Sequence, residues 1–186
     1  MSHEDTSRAP PTPHQDRRDS MGRRVAVSWH GAGAVVSAPG SRWLVAVDGS
    51  DCSLQAVAML ARLLAPAAGA GVDVVHVQSW LSKEAAETEL ERRSWSALKQ
   101  ARLLLDAAAL PWRLHAAMGD AATEITGLAD ALDSRGIAIG SHGRTAAESV
   151  LLGSVAQQVI HRARRPVLVV RCACRNHAAL ATTHQK

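Results

Sequence analysis

Three glycines recur at fixed distances in the stretch GSHGRTAAESVLLGS, which begins at Gly140. Two residues separate Gly140 from Gly143, and nine separate Gly143 from Gly153, which Ser154 follows. A glycine directly after a strand permits a sharp turn or the close approach of another molecule. The start of a helix presents unpaired N–H groups and a partial positive charge, which together favour phosphate. With an apolar run before it and a helical pattern after it, this spacing predicts an anion site, and plain turn glycines are the alternative.

Side chains between and beside these glycines could complete such a site. His142 and Arg144 are placed to lean over bound phosphates. Ser154 can donate its hydroxyl to the same phosphate or cap its own helix. The segment between Gly143 and Gly153 then forms a loop across the site.

Signatures of catalysis are missing from this part of the sequence. The P-loop pattern Gly-x4-Gly-Lys-Ser/Thr does not occur, and DGSDCS does not fit the Gly-x-Ser-x-Gly nucleophile elbow. A phosphoryl-transfer enzyme needs a positioned base and a cation near the γ-phosphate, and no pattern here orients them. We therefore predict no catalytic residue and favour binding, with slow hydrolysis as the alternative.

Short apolar runs alternate with helical patterns from Trp43 onward. Continuously apolar runs indicate strands buried on both faces, which is typical of a parallel sheet covered by helices in an α/β domain. Apolar residues at i, i+3, i+4 and i+7 mark the helices between them, and Ser82 and Asp120 are expected N-caps. The predicted strands are WLVAVD, VDVVHV, WRLHAAM, IAIG and VLVVR, and the last helix is predicted to begin at Ser154.

The ends of two predicted strands locate the site. In such sheets, ligands bind beyond the carboxyl ends of the strands, where the strand order reverses. Asp48 follows the first strand and Gly140 follows the fourth, so both are expected there. A simple turn-capping role is the alternative for Asp48. His76 and His115 fall within strand runs and are predicted to be packed or rim histidines.

The formal net charge of +4 comes from the two ends of the chain. Residues 39–170 hold 13 basic and 13 acidic residues, whereas residues 1–38 add +1 and residues 171–186 add +3. A nucleic-acid-binding domain presents basic residues on its folded surface, so no nucleic-acid partner is expected. No apolar run approaches the roughly 18 residues that span a bilayer, so no membrane partner is expected either.

The three cysteines, Cys52, Cys172 and Cys174, are too few to build a disulfide framework. They favour a reducing, cytoplasmic location. The pair Cys172 and Cys174 is spaced too closely for a zinc knuckle. It is interpreted as one cysteine at a strand end and one in the tail, and no metal site is predicted.

The N-terminal residues have a different composition from the rest. Residues 1–24 are rich in Pro, Ser, Arg and Asp, which is typical of disorder. The stretch from Met21 to Gly40 loosely resembles an export signal, but twenty mostly polar residues precede it and Trp29 and His30 interrupt it. We therefore expect residues 1–38 to be a disordered extension.

Several motifs together resemble the universal stress protein family. Its nucleotide-binding members carry Gly, two residues, Gly, nine residues, Gly, then Ser or Thr, as Gly140, Gly143, Gly153 and Ser154 do here. The segments that are similar to the family's opening strand and turn, its part before the fourth strand, and its closing helix and strand are LVAVDGSDCSLQA, GDAATEITGLAD and GSVAQQVIHRARRPVLVVR. The resemblance covers about residues 41–171.

This resemblance implies a fold and a division of the chain. The fold is the adenine nucleotide alpha hydrolase-like form of α/β, a five-stranded parallel sheet in the order 3-2-1-4-5 with helices on both faces. The family domain would occupy residues 39–171, and residues 172–186 would form a flexible tail. A homodimer through the last strand is implied as well.

The resemblance also implies a nucleotide site. Asp48 would face the adenosine end and Val77 would contact adenine, while Ile139 and Gly140 would border the ribose and phosphates. The residues that would hold the phosphates are His142, Gly143, Gly153, Ser154 and Val155. The expected ligand is ATP, with Mg or Mn bound mainly through phosphate oxygens because no carboxylate cluster is visible.

Three functions follow from this resemblance. The favoured one is an ATP-binding protein with a regulatory role in the stress response. The alternatives are a slow ATP hydrolase and a dimerisation module that binds no nucleotide.

Overall fold

The computed structural model describes residues 9–31, 40–65, 69–143 and 152–172. Within these ranges the chain forms an α/β structure, as predicted. The strands are β1 (Gln15–Arg18), β2 (Arg24–His30), β3 (Arg42–Ala46), β4 (Gly71–Gln78), β5 (Trp112–Met118), β6 (Gly136–Gly140) and β7 (Val167–Val170). The helices are α1 (Asp51–Leu64), α2 (Lys83–Ala107), α3 (Ala121–Ala131) and α4 (Ser154–Arg162). No helix in the described ranges combines the length and the apolar character needed to cross a membrane.

All described strands belong to one sheet, in the order β1-β2-β5-β4-β3-β6-β7. The five strands β3 to β7 are mutually parallel. Numbered among themselves, they follow the order 3-2-1-4-5 that the family resemblance implied. The prediction of a five-stranded, all-parallel sheet is nevertheless wrong, because two antiparallel strands extend the sheet beyond β5.

These two added strands come from the predicted disordered extension. That prediction is wrong for residues 15–30, since β1 pairs with β2 and β2 pairs with β5. Val25, Val27 and Trp29 alternate along β2 and are buried in the core. Trp29 is 1% exposed, its ring lies 5.7 Å from that of Trp95 on α2, and its Nε1 donates to the carbonyl of Pro11 at 2.7 Å. Apolar alternation and an anchoring tryptophan therefore hold the hairpin on the domain.

Helices cover both faces of the parallel strands. Successive strand residues point to opposite faces, and on β3 the side chain of Leu44 joins the cluster under α3 and α4 while Val45 joins the cluster under α1 and α2. Ser50, Ser82 and Asp120 cap α1, α2 and α3 through their side chains. The predicted caps at Ser82 and Asp120 are therefore confirmed.

A buried cluster of charges lies on the sheet away from the carboxyl ends of the strands. Asp73 on β4 is 0% exposed and accepts hydrogen bonds from Arg113 Nε at 2.6 Å and Arg42 Nε at 3.2 Å. His115 Nε2 lies 3.3 Å from the same carboxylate. Burial by itself raises the pKa of Asp73, but hydrogen bonds from His115 and Arg113 and the charge of Arg42 together hold that pKa well below its usual value. The carboxylate is therefore ionised at neutral pH and ties β3, β4 and β5 together.

Candidate nucleotide site

A cavity of about 280 Å³ lies where β3, β4 and β6 end, on the face that α3 and α4 cover. Its volume is near the lower end of the range for small-molecule sites. The predicted site residues that line it are Asp48, Val77, Ile139, Gly140, His142, Gly143, Gly153, Ser154 and Val155. The structure thus brings all nine of them together around one cavity. Arg144, also singled out in the sequence, lies outside the described residues.

Asp48 occupies the turn between β3 and α1. Its Oδ1 accepts hydrogen bonds from the backbone N–H of Ser50 at 3.0 Å and from the Ser50 hydroxyl at 2.6 Å. These bonds are the turn-capping role that the sequence left as the alternative. The other carboxylate oxygen, Oδ2, faces Gly143, so the same side chain both caps the turn and borders the cavity.

The space around Gly140 and Gly143 explains why both are glycine. A Cβ on Gly143 would lie 2.7 Å from Asp48 Oδ2, and a Cβ on Gly140 would lie 3.0 Å from the backbone carbonyl carbon and oxygen of Cys52 in α1. Neither glycine adopts a positive φ. The close approach that the sequence predicted is thus made by other parts of the chain, and a left-handed turn is not the reason for these glycines.

The N-terminus of α4 differs from the N-termini of the other described helices. Gly153 is its N-cap and supplies no side-chain acceptor, and the first turn carries no acidic residue. Ser154, Val155 and Ala156 of that turn line the cavity. Ser154 is the first helical residue and not the N-cap, so the suggestion that it caps its own helix is wrong. No side chain of the described residues caps the start of this helix, and its partial positive charge lies at the cavity wall.

His142 places a polar ring in the cavity wall. Its Nδ1 lies 2.9 Å from the hydroxyl of Ser141, which orients the imidazole. Its Nε2 is buried and has no hydrogen-bond partner among the residues described. A buried polar atom is normally satisfied, so this nitrogen is a candidate contact for a ligand.

One wall of the cavity is apolar, and most of it was not anticipated from the sequence. It consists of Ala46, Val75, Val77, Ala121, Ile125 and Ile139. Sequence reasoning also missed Ser53 and Ser141, which line the cavity from the first turn of α1 and from the end of β6. The alternation that places Val75 and Val77 on one face of β4 was available as a signal. The contribution of α3 was not, because helical periodicity shows which side is apolar but not what it faces.

Comparison with known proteins identifies the family to which this architecture belongs. A model of the universal stress protein family matches residues 41–171. The chain belongs to this family. The hairpin of β1 and β2 lies outside the matched residues, so it is an addition to the family domain. A comparison with curated proteins gives no match.

Several solved structures share the fold, and two of the three described next are universal stress proteins. The hypothetical protein MJ0577 has 22% identity and a TM-score of 0.64, and the match covers 74% of this chain and 99% of that one. A universal stress protein in complex with cAMP has 24% identity and a TM-score of 0.56, with 72% and 98% covered. The universal stress protein of Archaeoglobus fulgidus in complex with dAMP has 24% identity and a TM-score of 0.56, with 72% and 99% covered.

Metal ligands are sparse at this universal stress protein site. Asp48 is the one carboxylate among the described residues that line the cavity. Within the described part of the chain, no group of three or more His, Cys, Asp or Glu side chains is arranged to hold a metal ion. The donors at the cavity are thus backbone N–H groups, hydroxyls and one imidazole, a set that suits an anion better than a cation.

Proposed function

We propose that this universal stress protein binds an adenine nucleotide, ATP, in the cavity at the ends of β3, β4 and β6, and acts through it as a regulatory protein of the stress response in the cytoplasm. The observation that carries the proposal is the division of the cavity into an apolar wall and a wall of glycine backbone and helix N-terminus. A phosphorylated adenosine is divided in the same way, with a flat base for the apolar wall at one end and anionic phosphates for the N–H groups at the other. Family membership and the family members crystallised with cAMP and dAMP support an adenine nucleotide as the ligand class.

The residues present fit the phosphate end of such a ligand. The first turn of α4, which no side chain of the described residues caps, offers N–H donors and the positive end of the helix dipole. Nε2 of His142, which has no hydrogen-bond partner among the described residues, can donate to a phosphate oxygen. Because the Asp48 carboxylate repels phosphate, we place the phosphates towards α4 and let Asp48 accept hydrogen bonds from ribose hydroxyls. A divalent ion such as Mg or Mn would then be held mainly by phosphate oxygens.

The apolar wall fits the base. Val77 and Ile139 lie at the ends of β4 and β6, and Ile125 closes the wall from α3. A flat adenine ring between such side chains loses apolar contact with water, at about 25 cal/mol for each Å² removed. Discrimination between adenine and guanine would come from backbone groups near Val77, since this wall offers no charged side chain.

Substitutions at Val155 test the anion site with little risk to folding. Val155 is exposed enough (38%) to tolerate a polar residue and lies in the first turn of α4. Val155→Asp places a negative charge among the N–H groups proposed for phosphate, whereas Val155→Asn is a neutral side chain of the same shape. We expect Val155→Asp to weaken Mg-ATP binding at least tenfold more than Val155→Asn in calorimetry. Equal affinities for the two variants would refute a phosphate site at this helix.

A thermal melt with Mg-ATP, AMP and GTP distinguishes the ligand classes. A ligand at about a hundred times its dissociation constant adds roughly 2.7 kcal/mol to the stability, which is about 5–10 °C for a chain of this size. We expect this shift with the adenine nucleotides and not with GTP. Release of γ-phosphate in the same samples would indicate the slow hydrolase, and no shift with any nucleotide would favour the dimerisation module.

We also propose that two copies associate through β7. This strand is the edge of the sheet in the described structure. The carbonyl of Pro166 accepts a hydrogen bond from Ile137 N–H of β6, and the carbonyl of Val170 accepts one from Ser141 N–H, directly after β6. The backbone groups of Val167 and Val169 therefore point away from β6, because the direction alternates along a strand. An edge strand of this kind can pair with the same strand of a second copy.

A further inference from the structure

Cys52 and Cys172 are joined by a disulfide behind the proposed phosphate site. Their Cα atoms lie 5.2 Å apart, and 120 positions separate them in the sequence. Cys52 is in the first turn of α1, and Cys172 follows the end of β7. Cys172 lies at a strand end, as the sequence predicted, but its pairing with Cys52 was not anticipated. The bond links α1, the helix that follows β3, to the end of β7, and β6 lies between β3 and β7 in the sheet.

Ser141 connects this disulfide to His142 and Gly153, which line the cavity. Its hydroxyl lies 3.7 Å from the Sγ atom of Cys52 and 2.9 Å from Nδ1 of His142. Its N–H donates to the carbonyl of Val170 at 2.8 Å, and its own carbonyl accepts from the N–H of Gly153 at 2.8 Å. Ser141 is itself buried. Buried contacts of Ser141 thus connect the sulfur of Cys52, the imidazole of His142 and the N-cap of α4.

The oxidation state of the sulfur changes the hydrogen bonds in this set. In the disulfide, Sγ of Cys52 carries no proton and can only accept from the Ser141 hydroxyl. As a thiol, it can donate to the carbonyl of Val170, which lies 3.8 Å away and already accepts from Ser141 N–H. Reduction therefore gives the Val170 carbonyl a second donor, which competes with the N–H of Ser141. It also breaks the covalent bond between α1 and the end of β7.

We propose that the Cys52–Cys172 pair is a reversible thiol–disulfide switch that regulates nucleotide binding, with the oxidised form binding more tightly. This inference rests on the function proposed above. The disulfide fixes Cys52 and the end of β7, which hold Ser141 in place, and Ser141 orients His142 and anchors the N-cap of α4. A site whose donors are already in place binds its ligand with a smaller entropic cost.

The chemistry is thiol–disulfide exchange with a small dithiol. Cys52 is buried (5% exposed) and Cys172 is only partly buried, so an external thiolate is expected to attack Sγ of Cys172. The bond between the two protein sulfurs breaks, and Cys52 leaves as a thiolate that takes up a proton. The second thiol of the reagent then displaces Cys172 as a thiol. The protein gains two electrons and two protons, and the dithiol becomes a disulfide. Oxidised glutathione re-forms the bond: one protein thiolate attacks the glutathione disulfide and releases one glutathione, and the other protein thiolate then displaces the second glutathione from the mixed disulfide. In a reducing compartment, disulfides of this kind are transient and sense the redox state.

The test compares the two oxidation states of the full chain carrying Cys174→Ser, which prevents exchange with the third cysteine. One sample is oxidised with oxidised glutathione and the other reduced with dithiothreitol, which is then removed. Alkylation and mass spectrometry confirm each state. Calorimetry with Mg-ATP and with AMP gives the affinities. We expect the oxidised form to bind about tenfold more tightly, and we expect Cys172→Ser in the same background to bind like the reduced form under both treatments.

The outcomes separate this inference from the function on which it rests. Equal affinities in the two confirmed states would overturn the switch and leave the nucleotide site intact. Absence of binding in both states would overturn the proposed function and the regulation with it. A chain that stays fully alkylatable after oxidation would overturn the switch, because the pair would not close. A redox response that persists in Cys172→Ser would assign the effect to another group and also overturn it.

Discussion

Replacing Gly143 with alanine tests whether this glycine is required by the Asp48 carboxylate. The new Cβ would lie 2.7 Å from Oδ2 of Asp48, and ordinary contact begins at 3.4 Å. One of the two groups must therefore move by about 0.7 Å. If the carboxylate moves, it weakens the hydrogen bonds from Ser50 to Oδ1, and bonds to charged groups contribute about 1.5–3 kcal/mol each. If the backbone at Gly143 moves instead, the wall of the cavity that it forms is displaced.

Either movement disturbs the proposed nucleotide site. We expect Gly143→Ala to lower the stability by about 2 kcal/mol. We also expect it to weaken adenine-nucleotide binding by about 10- to 100-fold, which corresponds to roughly 1.4–2.8 kcal/mol. Urea unfolding at pH 7 measures the first quantity, and calorimetry with Mg-ATP and AMP measures the second.

Gly127→Ala is the matched control. Gly127 lies in the interior of α3, and a Cβ there meets no atom within 4 Å. The same substitution should therefore stabilise the protein by about 1 kcal/mol, since alanine favours a helix more than glycine does, and leave the affinity unchanged. An Asp48→Ala background supplies the second control, because the stability cost of Gly143→Ala should largely disappear there. Unchanged nucleotide affinity in Gly143→Ala, or an undiminished stability cost in the Asp48→Ala background, would refute the reasoning.

Three further predictions concern the parts of the fold outside the cavity. Asp73→Asn leaves the buried Arg42 without its charged partner, so we expect a loss of about 3–5 kcal/mol in urea unfolding at pH 7. The depressed pKa of Asp73 means that its contribution is complete above about pH 4 and is lost as the pH falls further, so an equal loss at pH 7 and pH 2.5 would contradict this account. Trp29→Ala removes the buried anchor of β2 and is expected to cost about 3–5 kcal/mol, whereas a loss below about 1 kcal/mol would show that the hairpin is dispensable. Val169→Pro removes an N–H that points to the open edge of β7 and should yield monomers in sedimentation at near-normal stability, while Leu168→Pro should destabilise the fold because its N–H faces β6; a dimer that persists in Val169→Pro would contradict the interface.

Local patterns in the sequence were sufficient for the parallel core. Continuous apolar runs fixed β3, β4 and β6 as buried strands, and their positions in the structure agree with the runs to within a residue or two. Ser82 and Asp120 were recognisable as caps because capping depends on a side chain and the three residues after it. The order of the parallel strands came from the family resemblance, since no local pattern encodes which strands become neighbours.

The hairpin shows where local reasoning failed. The composition of residues 1–24 led to the expectation of disorder for residues 1–38, yet the alternation of Val25, Val27 and Trp29 is a half-buried strand pattern. A strand of this kind is stable only when a partner edge and an apolar surface are available, and β5 and α2 supply them. The residues of α2 and β5 that contact β2 lie about 70 to 90 positions further along the chain, so no local pattern around β2 reveals them.

By itself, the sequence determined which residues could meet a phosphate, because glycine spacing and a helix start are local features. Tertiary structure decided what those residues face. It placed the Asp48 carboxylate against Gly143 and the Cys52 backbone against Gly140, and it brought Cys172 to Cys52 across 120 positions. The physical reason is that close contacts and cross-links depend on how strands and helices pack, and packing brings together residues whose separation in the sequence carries no signal of their distance in space.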